Sequence, residues 1–430
     1  MSHLTVPRRP APVLLFDGGY YGTLAAVRCL GRAGIPVAIA EPSMLAPARW
    51  SRYVGRRVSC PNVGDTERFM AWLLDWGRRD PGHVLYPTSD DLAWLFAHYR
   101  NDLEPYFRLF QPPVDTVYGL LNKQRLASVC AEAGIDTPET HFPANDDHLA
   151  ALAATLHYPQ LIKPQTQILF TSHIKGAQVH NADELMTLYH QFVAANGFAQ
   201  ALMQFDPLVL RPLVQAYHPA AADQIYSLSG FANRSGAIVA ARAARKVLQR
   251  PRKLGIGLCF EGAEVDRELC AKLEALCRQT GYYGAFEAEF ICGNEQALLI
   301  DFNPRFYSQM AFEIARSMPV PLLVYHAAVD DQAALQAAIA SAQRWQPQAQ
   351  HIYCHRWMLN VLLGAQRASG RLSNTEARTW RHWYAAHRHH ATDAVADRTD
   401  PVPALVDTAM HLRWYARHPR AFVRQMVLDQ

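Results

Sequence analysis

Residues 284–306 read GAFEAEFICGNEQALLIDFNPRF. Two runs rich in β-formers, residues 285–291 and 297–303, flank a turn containing Gly293 and Asn294, which predicts a hairpin. Successive strand side chains point to opposite faces. Phe286, Ala288 and Phe290 therefore share one face of the first run, and Glu287 and Glu289 share the other. On the second run the same alternation sets Leu298, Ile300 and Phe302 against Asp301 and Asn303. With the apolar faces in one core, three carboxylates and an amide converge opposite. Like charges facing each other across a ladder cost about 0.2–1 kcal/mol each, so such a face calls for cations. An all-oxygen donor set suits magnesium, which takes a few carboxylates and completes its shell with substrate phosphates. Asn303-Pro304-Arg305 then closes the strand with a guanidinium shaped for bidentate phosphate contact. The plain alternative is a solvated, acidic sheet face.

Upstream, the chain opens with an alternating β and α pattern. Residues 12–16 form a short apolar run ending in the turn Asp17-Gly18-Gly19. A helical pattern follows to Ala33, closed by Gly34, and residues 36–40 read as the next strand. This βαβ unit implies a parallel sheet with right-handed crossovers. Residues 83–86 read as a further strand ending in the polar loop 87–91. Loops at strand C-termini are where such sheets bind ligands, which makes Ser89 and Asp90 candidate substrate contacts. The middle of the chain reads as α+β, with strands near residues 208–217, 225–231 and 237–241 and a helix at 266–280. The last hundred residues are rich in Trp, His, Arg and Ala, with helical patterns at 353–368, 374–390 and 403–428.

At 430 residues the chain is long enough for two to four domains. A net charge of +4 is small for this size and makes no case for nucleic acid, though it suits anionic ligands. The eight cysteines form no CxxC pair, so reduced core thiols and a cytoplasmic location are expected. The N-terminal segment MSHLTVPRRPAP lacks an apolar signal core, and the apolar stretch 320–329 is too short to span a bilayer.

The segment 284–306 resembles the metal-binding end of the ATP-grasp superfamily, in which a Glu-Phe strand precedes a Glu-x-Asn-Pro-Arg strand end. Asp301 stands where that family usually has Glu, one methylene shorter in reach. The resemblance extends over about residues 13–328 and is nearest to the carboxylate–amine ligase branch. It implies an N-terminal Rossmann-like domain (1–114), an ATP-grasp domain (115–330, its lid at about 140–215) and a mostly helical C-terminal extension (331–430). It implies ATP and Mg2+, with the metal on Glu289, Asp301 and Asn303. Lys123, ahead of AGIDTPET, and Lys163, at a strand end before Pro164, match the family's two nucleotide-binding lysines. Ser172 and Lys175 fall in the loop that covers the phosphates, which here has a single glycine, Gly176. Gln215 and Tyr217 fall in the adenine hinge, where Ala216 occupies the usual acidic position. Arg305 would stabilise the transferring phosphoryl group, with Arg245 or Lys246 assisting, and Glu287 would face the metal or the substrate. The implied reaction is phosphorylation of a small-molecule carboxylate to an acyl phosphate, then attack by an amine to give an amide or peptide bond, ADP and phosphate.

Two other readings compete. Gly18, Gly19 and Gly22 after a strand, with Glu41 ending the next, have the spacing of a dinucleotide site, although G-G-x-x-G is not the full G-x-G-x-x-G. A non-catalytic nucleotide-binding regulator is the other. The histidines at 382, 387, 389 and 390 read as a solvated basic helix face, since Arg381 and Arg388 disfavour a cation. The final stretch, 412–425, is expected to pack on the body or on a second copy in a homodimer rather than on a membrane surface.

Overall fold

The computed structural model describes residues 10–172, 176–195, 197–251, 255–293, 296–347 and 349–428. Its N-terminal sheet holds β1 (Val13–Leu15), β2 (Val37–Ala40), β3 (Val54–Val58), β4 (Val84–Leu85) and β5 (Arg108–Leu109). All pair in parallel, in the order β3-β2-β1-β4-β5. Every residue of β1 and β2 is buried, as expected of strands covered on both faces. The helix Tyr21–Arg32 turns Leu24, Val27 and Leu30 into that core and ends before Gly34 at φ +76°. Here the glycine permits a left-handed turn into the next strand.

A second, antiparallel sheet holds β6 (Thr140–His141), β7 (Gln160–Lys163), β8 (Ala177–Val179) and β9 (Leu213–Ala216), in the order β6-β9-β7-β8. Helices Asp146–Thr155 and Ala182–Ala195 cover it through Leu149, Leu185, Tyr189 and Phe192. The strand expected to begin near Leu208 starts at Leu213; Pro207 opens a 3-10 turn instead.

The third sheet is the largest, with β10 (Ile225–Ala232), β11 (Ile238–Arg250), β12 (Ile256–Ala263), β13 (Gly284–Gly293), β14 (Gln296–Asn303), β15 (Ile352–Cys354) and β16 (Ala391–Asp393). Their order is β14-β13-β10-β11-β12-β15-β16. One face carries Leu228, Ala243, Phe286, Ala288, Phe290 and Phe302 against Leu269, Leu273, Leu276 and Cys277 of the helix Arg267–Thr280. The predicted hairpin is β13–β14, but its alternation is broken. Glu289 pairs with Asp301 whereas Phe290 pairs with Leu299, so Ile300 is an extra residue in a bulge. Leu299 therefore joins Phe302 in the core, while Leu298 and Ile300 are only half-buried.

The C-terminal section carries helices Arg356–Ala368, Asn374–His387 and Val402–Arg417, and it also adds β15 and β16 to the third sheet. Tyr353, expected at a helix start, lies in β15, and the helix opens after the His355 cap. The section is anchored on the N-terminal domain. Buried Asp400 accepts from Arg28 Nε (2.9 Å), Ser51 Oγ (2.7 Å) and Arg52 N (2.8 Å). Tyr415 and Met426 share a core cluster with Leu248 and Leu258, whereas Leu405, Leu412 and Trp414 are exposed. Among the described residues no helix is long and apolar enough to cross a membrane.

Candidate active site

The site lies on the polar face of the third sheet. Register fixes its membership, because residues paired across a ladder share a face. Asp301 pairs with Glu289, which pairs with Ser227; Asn303 pairs with Glu287, which pairs with Ser229. One strand further, Ser227 pairs with Ala244 and Ser229 with Arg242, which places Lys246, two residues from Ala244, on this face as well. Arg245 pairs with Tyr226 and falls on the other face, exposed; the sheet separates it from the cluster. Of Arg245 and Lys246, it is Lys246 that faces the carboxylates.

Each outer carboxylate is met by a lysine. Lys246 Nζ lies 2.6 Å from Glu289 Oε1. Lys123, at the first turn of the helix Lys123–Glu132, places Nζ 2.6 Å from Asp301 Oδ1 and 2.9 Å from Ile300 O. Burial pushes Asp301 up, but the Lys123 charge and hydrogen bond outweigh it, and its carboxyl is held below the usual range. Burial pulls the Lys246 ammonium down, yet Glu289 more than compensates and it ends raised.

Glu287 is fully inside. It accepts from Ser227 Oγ (2.7 Å), Gln309 Nε2 (2.7 Å) and Asn303 Nδ2 (2.6 Å). Burial and then the charge of Glu289 push it up to about 7. Asn303 turns its oxygen outward to Arg305 Nη2 at 2.7 Å, and Arg305 Nε donates to Asp90. Burial lowers Arg305, but Asp90 reverses this and holds its guanidinium above the usual range.

Lys163, at the end of β7, donates to Gln215 Oε1 on β9 at 3.0 Å, and Gln215 Nε2 donates to Thr140 Oγ1 at 2.9 Å. Burial, then the neighbouring charge of Lys123, brings Lys163 down to about 8, with Asp301 acting the other way. Tyr217 follows β9, half-buried, its N–H on Pro159 O. Lys175 lies outside the described residues.

Beside Arg305 is a cavity of about 320 Å³ lined by Tyr20, Ser89, Asp90, Asp91, Ser172, Tyr307 and their neighbours. Ser89 caps the helix Asp90–His98. Asp91 accepts from Leu169 N at 2.6 Å, and burial pushes it up to about 6. Sequence reasoning missed Ser227, Gln309 and Tyr307. The alternation Ser227-Leu228-Ser229, polar residues facing the same way as the glutamates, was the available signal for the first.

The N-terminal glycines have a different task from binding a dinucleotide. Gly18 N donates to Glu41 Oε2 at 2.7 Å and Ser43 N to Oε1 at 2.9 Å, so both oxygens of the acid expected to hold a ribose close the loop itself. Gly22 lies against Tyr307, where a Cβ would meet the Tyr307 carbonyl oxygen at 2.4 Å.

The arrangement of the three sheets is one that solved structures share. No family model matches the sequence, and no curated protein matches it. Solved structures do. A biotin carboxylase–β,γ-ATP complex from Campylobacter jejuni is similar with a TM-score of 0.59 at 14% identity, over 81% of this chain and 76% of that one. The biotin carboxylase domain of Hydrogenobacter thermophilus 2-oxoglutarate carboxylase, in complex with MgADP, ADP and bicarbonate, gives 0.57 at 14%, over 80% and 72%. An L-amino acid ligase from Bacillus licheniformis gives 0.55 at 14%, over 75% of each chain.

Proposed function

We propose that the chain is an ATP-dependent ligase that phosphorylates a carboxylate and couples the acyl phosphate to an amine, releasing ADP and phosphate. The observation that carries this is the convergence of Lys123, Lys163, Lys246 and Arg305 on Glu289, Asp301 and Asn303, contributed by segments of chain far apart in sequence. Similar structures with nucleotide complexes support the same reading.

The donor set fits magnesium: Glu289 and Asp301 offer hard oxygens, and each already has a cation, a lysine, against it. A bound Mg2+ would neutralise charge on the phosphates. Lys123 and Lys163 then hold the nucleotide phosphates, while Gln215 and the β9 backbone border the adenine, with Tyr217 beside them. Arg305, fixed by Asp90 and Asn303, faces the phosphoryl group during transfer, and its charge offsets the charge that develops there. Protein nucleophiles are not required, since positioning and charge neutralisation carry the chemistry. The cavity beside Arg305 would take the substrates, with Ser89, Asp90 and Asp91 forming an acidic wall suited to an amine arriving as ammonium. Asp91, with its raised pKa, is placed to receive the proton that the amine sheds before attack.

The test is ADP release screened over amino acids and other carboxylates, with and without an amine pool. Full ADP-forming activity in Glu289→Gln or Asn303→Ala would overturn the assignment of the metal face. Tight NADH binding without Mg-ATP binding would overturn the reading as a whole.

A further inference from the structure

Away from the candidate active site, three chemically distinctive side chains meet in the C-terminal section. His355 lies between β15 and the helix Arg356–Ala368. Asp407 and His411 stand four residues apart on the helix Val402–Arg417, hence on one face. His355 Nε2 is 2.9 Å from Asp407 Oδ2, and His411 Nδ1 is 3.5 Å from the same oxygen. One ligand atom from each residue falls within 4.8 Å of the others, the one such trio of His, Cys, Asp or Glu among the described residues. Asp407 is 1% exposed, and its Oδ1 has no hydrogen-bond partner among the described residues. Buried polar atoms are nearly always partnered.

We propose that His355, Asp407 and His411 bind a divalent transition-metal ion of the zinc class. Two imidazoles and a carboxylate are a donor set that zinc accepts, with a fourth position left open. Metal–ligand bonds are about 2.0–2.2 Å long, so two ligand atoms of one tetrahedral ion sit roughly 3.3–3.6 Å apart, close to the 2.9 and 3.5 Å separations seen here. His411 Nδ1 also contacts the Asp407 carbonyl oxygen at 3.0 Å. To ligate through Nδ1, the nitrogen that lies near Asp407 Oδ2, the ring gives up that carbonyl contact and carries its proton on Nε2. His355 must take the tautomer with Nε2 unprotonated, giving up the 3.4 Å contact from Met358 N–H to Nδ1. The nearby cation, Arg250, is spent on Tyr415 Oη (3.2 Å) and Met358 Sδ (2.7 Å). The Tyr21 ring meets His355 edge-on at 5.2 Å, and its neighbours Tyr20 and Gly22 line the substrate cavity. An ion here would tie the C-terminal helix to the third sheet directly behind that cavity.

The experiment is titration of the full chain with Co2+, then Zn2+, in excess Mg2+ so that the acidic hairpin is saturated. The expected result is one equivalent of Co2+ giving the intense visible absorption of a four-coordinate site, displaced by Zn2+. His411→Ala and His355→Gln should weaken binding by on the order of 100-fold or more, and joint removal of the exposed His382, His389 and His390 should leave it unchanged. Absence of stoichiometric binding, survival of binding in His411→Ala, or its loss with the exposed histidines would each overturn the proposal. Should His355→Gln, at a fully buried position, fail to fold, His411→Ala, at a partly buried one on the helix surface, still decides. None of these readings depends on nucleotide binding or turnover, so failure of the ligase assignment would leave them untouched.

Discussion

Lys246 reaches across β10 to place Nζ 2.6 Å from Glu289 Oε1, with 6% of the lysine side chain and 19% of the glutamate exposed. Each charge is thus the other's main compensation for burial. Removing one member of a buried pair costs about 3–5 kcal/mol, and the residual exposure of Glu289 puts Lys246→Met near the lower end. Urea unfolding should show that loss, and millimolar Mg2+ should narrow the deficit by giving the carboxylate another countercharge. A Mg2+-independent deficit would mean that Glu289 does not bind the ion.

Lys163 supplies a pH dependence. Its pKa of about 8 lies below the ordinary 10.5, chiefly from burial. The ammonium that would hold phosphate is therefore lost as pH rises through 8, and affinity for ADP should fall by up to about tenfold per unit above it. In the absence of ligand the sign for stability is opposite. Between 8 and 10.5 the unfolded chain binds more protons, so stability rises with pH. Calorimetric ADP titrations across this window should show the fall, and Lys163→Arg should flatten it because arginine stays charged.

Glu287 predicts a second window. Its folded value of about 7 lies above the ordinary 4.5, so the native state holds the extra proton between them and loses stability as pH climbs from 4.5 to 7. Glu287→Gln keeps an acceptor for Ser227 while removing the titration. Denaturation midpoints measured from pH 5 to 8 should slope downward for the parent chain and be flatter for the variant.

Gly22→Ala tests the contact between the first domain and the strand end. The added Cβ would meet backbone, which cannot rotate away, at 2.4 Å. Overpacking of this kind costs about 1–3 kcal/mol, and displacement of Tyr307 should lower kcat/KM as well. Gly19→Ala, with nothing within 4 Å of its Cβ, is the control and should behave as the parent in both assays.

The parts of the fold legible in the sequence were those encoded locally. Period-two alternation gave the hairpin, and Lys163 before Pro164 marked a strand end. What escaped was set by tertiary register. Ile300 leaves no mark as a bulge, because Leu298 and Leu299 before it are apolar on either parity, and so Leu299 rather than Leu298 reached the core. Arg245 and Lys246 are adjacent in sequence, and only the pairing of β10 with β11 decides which faces the glutamates. Glu41 has dinucleotide-site spacing, yet the same spacing serves a loop that binds its own acid. His355 and Asp407 are 52 positions apart, and no local pattern connects them.

The two short strands that the C-terminal section adds beyond β12 have a consequence for solubility. Without β15 and β16, β12 would end the sheet with a row of open N–H and C=O groups along Cys259, Phe260 and Glu261, a template for pairing with another molecule. With them, this side of the sheet ends in the three-residue β16, Ala391–Asp393, bearing Thr392 and Asp393, too short and too polar to recruit a partner strand. Chains cut back to the end of the helix Gln332–Arg344 would keep every candidate nucleotide residue and still be expected to aggregate.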